Sequence, residues 1–350
     1  MDAWGLLRES LDPDALDPAS RRLLPLLWRN LSRLGIRDPV LASCRGVHRY
    51  HWSRNQILFR RGAAVLNALA AAGIETLLLK GAALVTEYYG DPGLRPMEDF
   101  DVAVPAAAAA QAVDVLERNG WVTPYPITTS FRRIKHAAPF TDANGVSCDL
   151  HWNVLEECAE ASADLWRAAR EIEFQGQRTR ALSPADQLLH VSIHGGRWAP
   201  ESNIRWVADS MVILRAGGVD WRRLADQAAR HAFVLRMRDA LGFLWTSMDG
   251  PIPAAVTRGL AERPVAGFER LERWILGRDP RLLGELLRYW CHHLRAQDGS
   301  LLPAVLTFPK YLQHAWGLYS LRDVPGGALA RVRRRMDRVT PSPPARSPRF

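Results

Sequence analysis

Two aspartates one residue apart, Asp99 and Asp101 in Glu98-Asp99-Phe100-Asp101-Val102-Ala103-Val104, constrain this chain more than any other stretch of its sequence. The segment follows a Gly/Pro-rich loop, Gly90-Asp91-Pro92-Gly93, and ends at Pro105. A short Val-rich run bounded this way reads as a buried strand. Side chains alternate along a strand, so Asp99 and Asp101 share one face while Phe100, Val102 and Val104 point to the other, into a core. Two carboxylates on one face repel each other and lose hydration, and a hard cation between them relieves both costs.

A third acid belongs with them. Asp149 lies in Val146-Ser147-Cys148-Asp149-Leu150-His151-Trp152, the return strand after the turn Asp142-Ala143-Asn144-Gly145. Asn-Gly between apolar runs is a strong hairpin signal, and this strand is expected to neighbour the Asp99/Asp101 strand. Alternation also puts His151 on the Asp149 face. Three converging carboxylates suit one or two Mg²⁺ ions with nucleotide phosphates completing the coordination. A permanent cationic side chain buried against any of the three, or Asp149 on a different face from Asp99 and Asp101, would rule that use out. Upstream, the apolar run Ile74–Leu79 stops at Lys80-Gly81-Ala82, where a helix begins. Backbone N–H groups there, with Lys80 as a point charge, suit a phosphate. Arg95, in the loop before the aspartate strand, is expected either to fork onto phosphate or to pair with Asp91 or Glu98.

The rest of the chain frames these residues. Residues 1–73 carry amphipathic helical spacing, residues 74–182 read as strand, helix, strand, helix and hairpin, and from Ser183 the texture becomes helical. Ser183-Pro184-Ala185-Asp186 is a helix start, with helices expected near 184–194, 203–215, 220–231, 233–248, 281–296 and 309–320. The expected fold is α+β: a small mixed sheet with flanking helices, an N-terminal helical region (1–73), the sheet core (74–182), a helical C-terminal half (183–330) and a disordered basic tail (331–350). Of the net charge of +9, that tail holds +6, from seven arginines against Asp337. The tail is therefore the part that would contact a polyanion, and a nucleic-acid groove is not indicated. Cys44, Cys148, Cys158 and Cys291 form no Cys-x-x-Cys pair and read as free thiols of a reducing compartment. An acidic N-terminus without a long apolar stretch, and no span long enough to cross a bilayer, make the cytoplasm the expected location, with no membrane partner. His190 and His194, at i and i+4, would share a helix face; with no third ligand in view they are assigned to the cleft, or to pairing with Asp209, ahead of zinc.

The wording around these residues resembles a known family. Leu78-Leu79-Lys80-Gly81-Ala82-Ala83-Leu84, then Tyr89-Gly90-Asp91-Pro92-Gly93-Leu94-Arg95-Pro96-Met97-Glu98-Asp99-Phe100-Asp101-Val102, then Asp149-Leu150-His151-Trp152, is similar to the bacterial "uncharacterised nucleotidyltransferase" family of the polymerase-beta-like superfamily. His190-Val191-Ser192-Ile193-His194-Gly195-Gly196 and Arg205-Trp206-Val207-Ala208-Asp209 resemble its helical half. The resemblance implies a catalytic Mg²⁺ site at Asp99, Asp101 and Asp149, phosphate held at Lys80, Gly81, Ala82 and Arg95, and His151, His194 and Asp209 in the cleft. It implies transfer of an NMP from an NTP such as ATP to an acceptor (small molecule, protein or RNA) with release of pyrophosphate. A nucleotide-binding regulatory module on the same fold is the alternative. Two departures stand out: Ala82 occupies a position where the superfamily has Gly or Ser, and Asp99 comes 18 residues after Gly81.

Overall fold

A computed structural model describes residues 3–339 except 14, 157, 160, 196–203, 277–281, 296, 298 and 299. The chain divides into two compact units, Met1–Glu269 and Arg270–Phe350.

The first unit is built on one six-stranded mixed sheet. Its strands are β1 (Leu77–Leu78), β2 (Asp99–Ala103), β3 (Ala137–Thr141), β4 (Ser147–His151), β5 (Arg170–Phe174) and β6 (Gln177–Ala181), in the order β3-β4-β2-β1-β6-β5. The expected α+β architecture is thus present. β2 and β4 run parallel, in a register that sets Asp101 beside Asp149 and Ala103 beside His151. β1 is antiparallel to β2 and parallel to β6.

Phe100 explains why the acids face outward from the core. Its ring is buried between Phe174 and the long helix Val40–Ala71, with Phe59 of that helix also stacked edge-on against Phe174. A glycine inside a helix costs about 1 kcal/mol relative to alanine, yet Gly62 sits mid-helix here because a Cβ would stand 2.4 Å from the Phe100 ring. The anchored Phe100 turns its neighbours Asp99 and Asp101 to the opposite face.

Several elements differ from expectation. The segment 132–141, expected to be extended, begins as the tail of a helix, Thr129–Ile134, with Thr128 capping it. Val122 makes only a single bridge, to Thr141. The hairpin β5–β6 was not anticipated, because charged residues alternate through Arg170-Glu171-Ile172-Glu173-Phe174 and hide its inward face. Helices Ala254–Glu262 and Gly267–Leu276 are additions to the expected set. Helix Pro184–Gly195 is buried continuously from Ala185 to Ile193, which makes it a core element of the sheet's own unit.

The second unit holds helices Leu282–Arg295, Leu301–Ala315 and Val324–Val339. Inside it Arg295 and Glu272 form a buried ion pair at 2.7 Å. Helix Val324–Val339 carries regular structure into the arginine-rich segment expected to be disordered, consistent with the high helix propensity of Ala, Leu, Met and Arg. The remainder of that tail, 340–350, lies outside the described residues.

Candidate active site

Asp101 is the centre of the arrangement. Its side chain is buried, and its Oδ1 accepts two hydrogen bonds, from Lys80 Nζ at 2.5 Å and from His151 Nε2 at 3.0 Å. Burial alone would raise this carboxyl, but the Lys80 charge and the His151 hydrogen bond outweigh it and hold Asp101 well below the usual carboxylate range. Asp149 faces it across the parallel register, and donor atoms of Asp101, Asp149 and His151 all lie within 4.8 Å of one another. Asp99 stands one pleat away on the same face. Burial, then the Asp101 charge, push Asp99 up to about 6, and the same two causes raise Asp149.

This is an electrostatically frustrated face: acids that burial and mutual repulsion make reluctant to ionise together. Such a face fits a divalent ion, which lowers the cost of ionising each ligand. Carboxylate oxygens suit Mg²⁺, and an imidazole within reach admits Mn²⁺ as well. Asp101 and Asp149 are the residues placed to hold an ion, with Asp99 adjacent.

Lys80 reaches Asp101 through an unusual backbone. Leu79 N donates to Asp101 O at 3.2 Å, fastening the end of β1 beside the acid, and Lys80 then adopts φ +44°, the left-handed region that side chains other than glycine rarely occupy. Burial disfavours the charged ammonium, but Asp101 outweighs it, and Lys80 stays firmly protonated. A permanent cation is therefore buried against Asp101, the arrangement expected to rule out an ion there, while Asp149 does share the Asp101 face and the donor atoms of Asp101, Asp149 and His151 still converge. Gly81 follows, and its lack of a side chain has a packing reason: a Cβ would lie 2.2 Å from Met97 Sδ and 2.6 Å from Arg95 Nη1. Ala82 is buried beside it.

Arg95 is placed differently from either expectation. Glu98 is paired with Arg22 and Asp91 with His48, leaving neither to Arg95. Its guanidinium is buried and grips both oxygens of Asp209, each at 2.9 Å, while Tyr89 OH donates to the same carboxylate at 2.8 Å. Arg95 and Asp209 thus lock the loop before β2 to helix Arg205–Ala216, and the fork that was assigned to phosphate is spent there. Asp209 is engaged by Arg95 and Tyr89, and the rings of His190 and His194 stack on each other at 5.9 Å. His194 does come to the site: with Lys80, His136, His151, Glu156 and His190 it lines a small hollow beside Asp101. The His151 Nδ1 atom is buried there without a hydrogen-bond partner.

Arg205 is the residue the sequence reading passed over. It donates to Pro96 O at 3.0 Å, and it lies within the electrostatic reach of Asp99. Burial and the neighbouring Arg95 lower it to about 10. Its signal was the i, i+4 spacing from Asp209, on the helix that closes over the loop before β2.

A family model described as "Uncharacterised nucleotidyltransferase" matches residues 18–243. The chain belongs to that family. The match takes in every acid and base of this site and ends inside the first unit, so the second unit lies outside it. No curated protein matches the chain. Among solved structures, similarity is found to the antibiotic-resistance factor ANT(2'')-Ia, at 14% identity and TM-score 0.37, covering 54% of this chain and 95% of that one. The lincosamide antibiotic adenylyltransferase LnuA, bound to lincomycin, is similar at 15% identity and TM-score 0.31, covering 43% and 94%. An antigenic nucleotidyltransferase-like protein from Paracoccidioides brasiliensis is similar at 17% identity and TM-score 0.37, covering 57% and 96%. Among the described residues, Asp101, Asp149 and His151 are the one group of three acids or imidazoles close enough to share an ion, and Asp99 is not part of it.

Proposed function

We propose that the protein transfers an NMP from an NTP to an acceptor hydroxyl or similar group and releases pyrophosphate, with Mg²⁺ held at Asp99, Asp101 and Asp149. The observation that carries this reading is the parallel register that brings Asp101 and Asp149 side by side within the family-matched segment. Bound Mg²⁺ supplies the positive charge that stabilises negative charge gathering on the α-phosphate. The acceptor oxygen attacks the α-phosphorus in line, the bond to the bridging oxygen breaks, and pyrophosphate carries away the electron pair. Asp149, set beside Asp101 by the parallel register, takes the acceptor's proton. His151 holds the Asp101 carboxylate in one orientation through its 3.0 Å hydrogen bond.

The phosphates are assigned to the turn Lys80-Gly81-Ala82, which the Leu79–Asp101 backbone bond fixes next to the acids. ATP is the first nucleotide to test. The four cysteines are buried and in no disulfide, in keeping with action in a reducing cytoplasm. No helix among the described residues is long and apolar enough to cross a membrane.

A second reading has a specific observation behind it. Lys80 against Asp101 occupies part of the carboxylate an ion would use, which suits a nucleotide-binding module that does not turn over. The two separate in one experiment with labelled NTP, Mg²⁺ and a panel of acceptors. Transfer by the wild type, lost by at least a hundredfold in Asp101→Asn, supports the enzyme; Mg²⁺-dependent NTP binding with no transfer supports the module.

A further inference from the structure

We propose that Lys80 is the second cation of this site, so that the protein works with one divalent ion where a two-ion arrangement would otherwise stand. This rests on the nucleotidyl-transfer reading and adds which charges carry it.

Oxygen supply is the first argument. A carboxylate that bridges two ions ordinarily gives one oxygen to each. In Asp101, Oδ1 already accepts from Lys80 Nζ at 2.5 Å and His151 Nε2 at 3.0 Å. Oδ2 is left, which is enough for one ion. The Asp101 and His151 side chains are each only 2% exposed, so the two hydrogen bonds to Oδ1 are shielded from competition by water.

The ammonium is also delivered to the acid by the backbone, not incidental to it. A surface lysine pairs with an acid by choosing a rotamer. Here the backbone itself is bent to the left-handed region at residue 80, φ +44°, a conformation that a residue with a Cβ adopts only at a cost. The two elements that set it are fixed independently: Leu79 is hydrogen-bonded to Asp101 O, and Gly81 is wedged beneath Met97 and Arg95. Lys80 therefore starts its side chain beside Asp101 and ends it on the acid.

Charge supplies the third argument. Asp99, Asp101 and Asp149 carry three formal negative charges, which one divalent ion and one ammonium balance. All three acids act on Lys80. A second divalent ion would have to enter within a few ångströms of a buried ammonium, against direct like-charge repulsion. An ammonium that contacts Asp101 with one proton keeps two more for a phosphate oxygen, so it spans acid and nucleotide much as an ion does.

The test counts ions. Full-length protein is incubated with Mn²⁺ and the α,β-methylene analogue of each NTP, and protein-bound Mn²⁺ is measured by equilibrium dialysis and electron paramagnetic resonance. The wild type is expected to bind one ion per site, Lys80→Arg one, and Lys80→Met two, with spin coupling between neighbouring ions appearing only in Lys80→Met. Thermal unfolding checks that each variant is folded. Two ions in the wild type overturn the inference without needing any variant, and one ion in folded Lys80→Met overturns it as well. Absence of nucleotide-dependent Mn²⁺ binding in the wild type has a different meaning: it removes the transfer reading itself, and the inference with it.

Discussion

Asp99 and Asp101 are two residues apart, on one face, and titrate in opposite directions. Lys80 and His151 hold Asp101 ionised, whereas burial and the charge of Asp101 leave Asp99 protonated up to about pH 6 in the ion-free protein. A folded-state pKa above the unfolded value near 3.9 means that ionising the group costs stability as pH rises from about 4 through 6. Asp99→Asn is therefore expected to raise the thermal midpoint of the ion-free protein at pH 7.5, by on the order of 1–2 kcal/mol of stability, and to leave it unchanged at pH 4. Added Mg²⁺ reverses the comparison, stabilising the wild type more at pH 7.5 than at pH 5 and more than it stabilises Asp99→Asn; differential scanning fluorimetry at the three pH values reads both. The acids were legible in the sequence because strand alternation is a strict two-residue period, so the Asp-x-Asp spacing fixes their shared face. Lys80 on Asp101 was not, since it depends on a left-handed φ at a lysine, a conformation no propensity assigns to that residue.

At the level of elements, the site depends on how the loop before β2 is held. Asn55, fully buried in helix Val40–Ala71, donates to Pro92 O at 2.6 Å and to Arg95 O at 2.9 Å, fixing the loop from one side. Arg95 with Asp209 and Tyr89 fixes it to helix Arg205–Ala216 from another. Removing one member of a buried, doubly hydrogen-bonded ion pair leaves an uncompensated charge and costs about 3–5 kcal/mol. Asp209→Asn is accordingly expected to lower urea stability by that amount and to reduce nucleotide affinity, because the loop carries β2 and its acids; unchanged stability would mean the lock is not closed. Sequence spacing could not pair Arg95 with Asp209, since 114 residues separate them and nearer acids competed for the arginine. The β2–β4 pairing was legible because both strands are short apolar runs bounded by turns. The β5–β6 hairpin was not: its outward residues are charged, and its turn is Gln175-Gly176, a weaker signal than Asn-Gly.

Across the whole molecule, the sheet, the acids, Lys80, the Arg95–Asp209 lock and the family-matched segment all lie in Met1–Glu269. That unit has its own continuous core, from Leu58 to Leu260. A protein ending at Glu269 is therefore expected to unfold cooperatively and to bind Mn²⁺-nucleotide as the full chain does; a molten truncation product, judged by lost near-ultraviolet circular dichroism, would show that residues 270–350 are needed for the core. The most direct measurement of the central claim follows the two ends of the triphosphate separately, with α-labelled and γ-labelled NTP, Mg²⁺ and a cell extract. Nucleotidyl transfer at these acids moves α label to an acceptor and releases γ label as pyrophosphate, and both events disappear in Asp101→Asn. Label transferred from the γ position, or α transfer undiminished in Asp101→Asn, would contradict it.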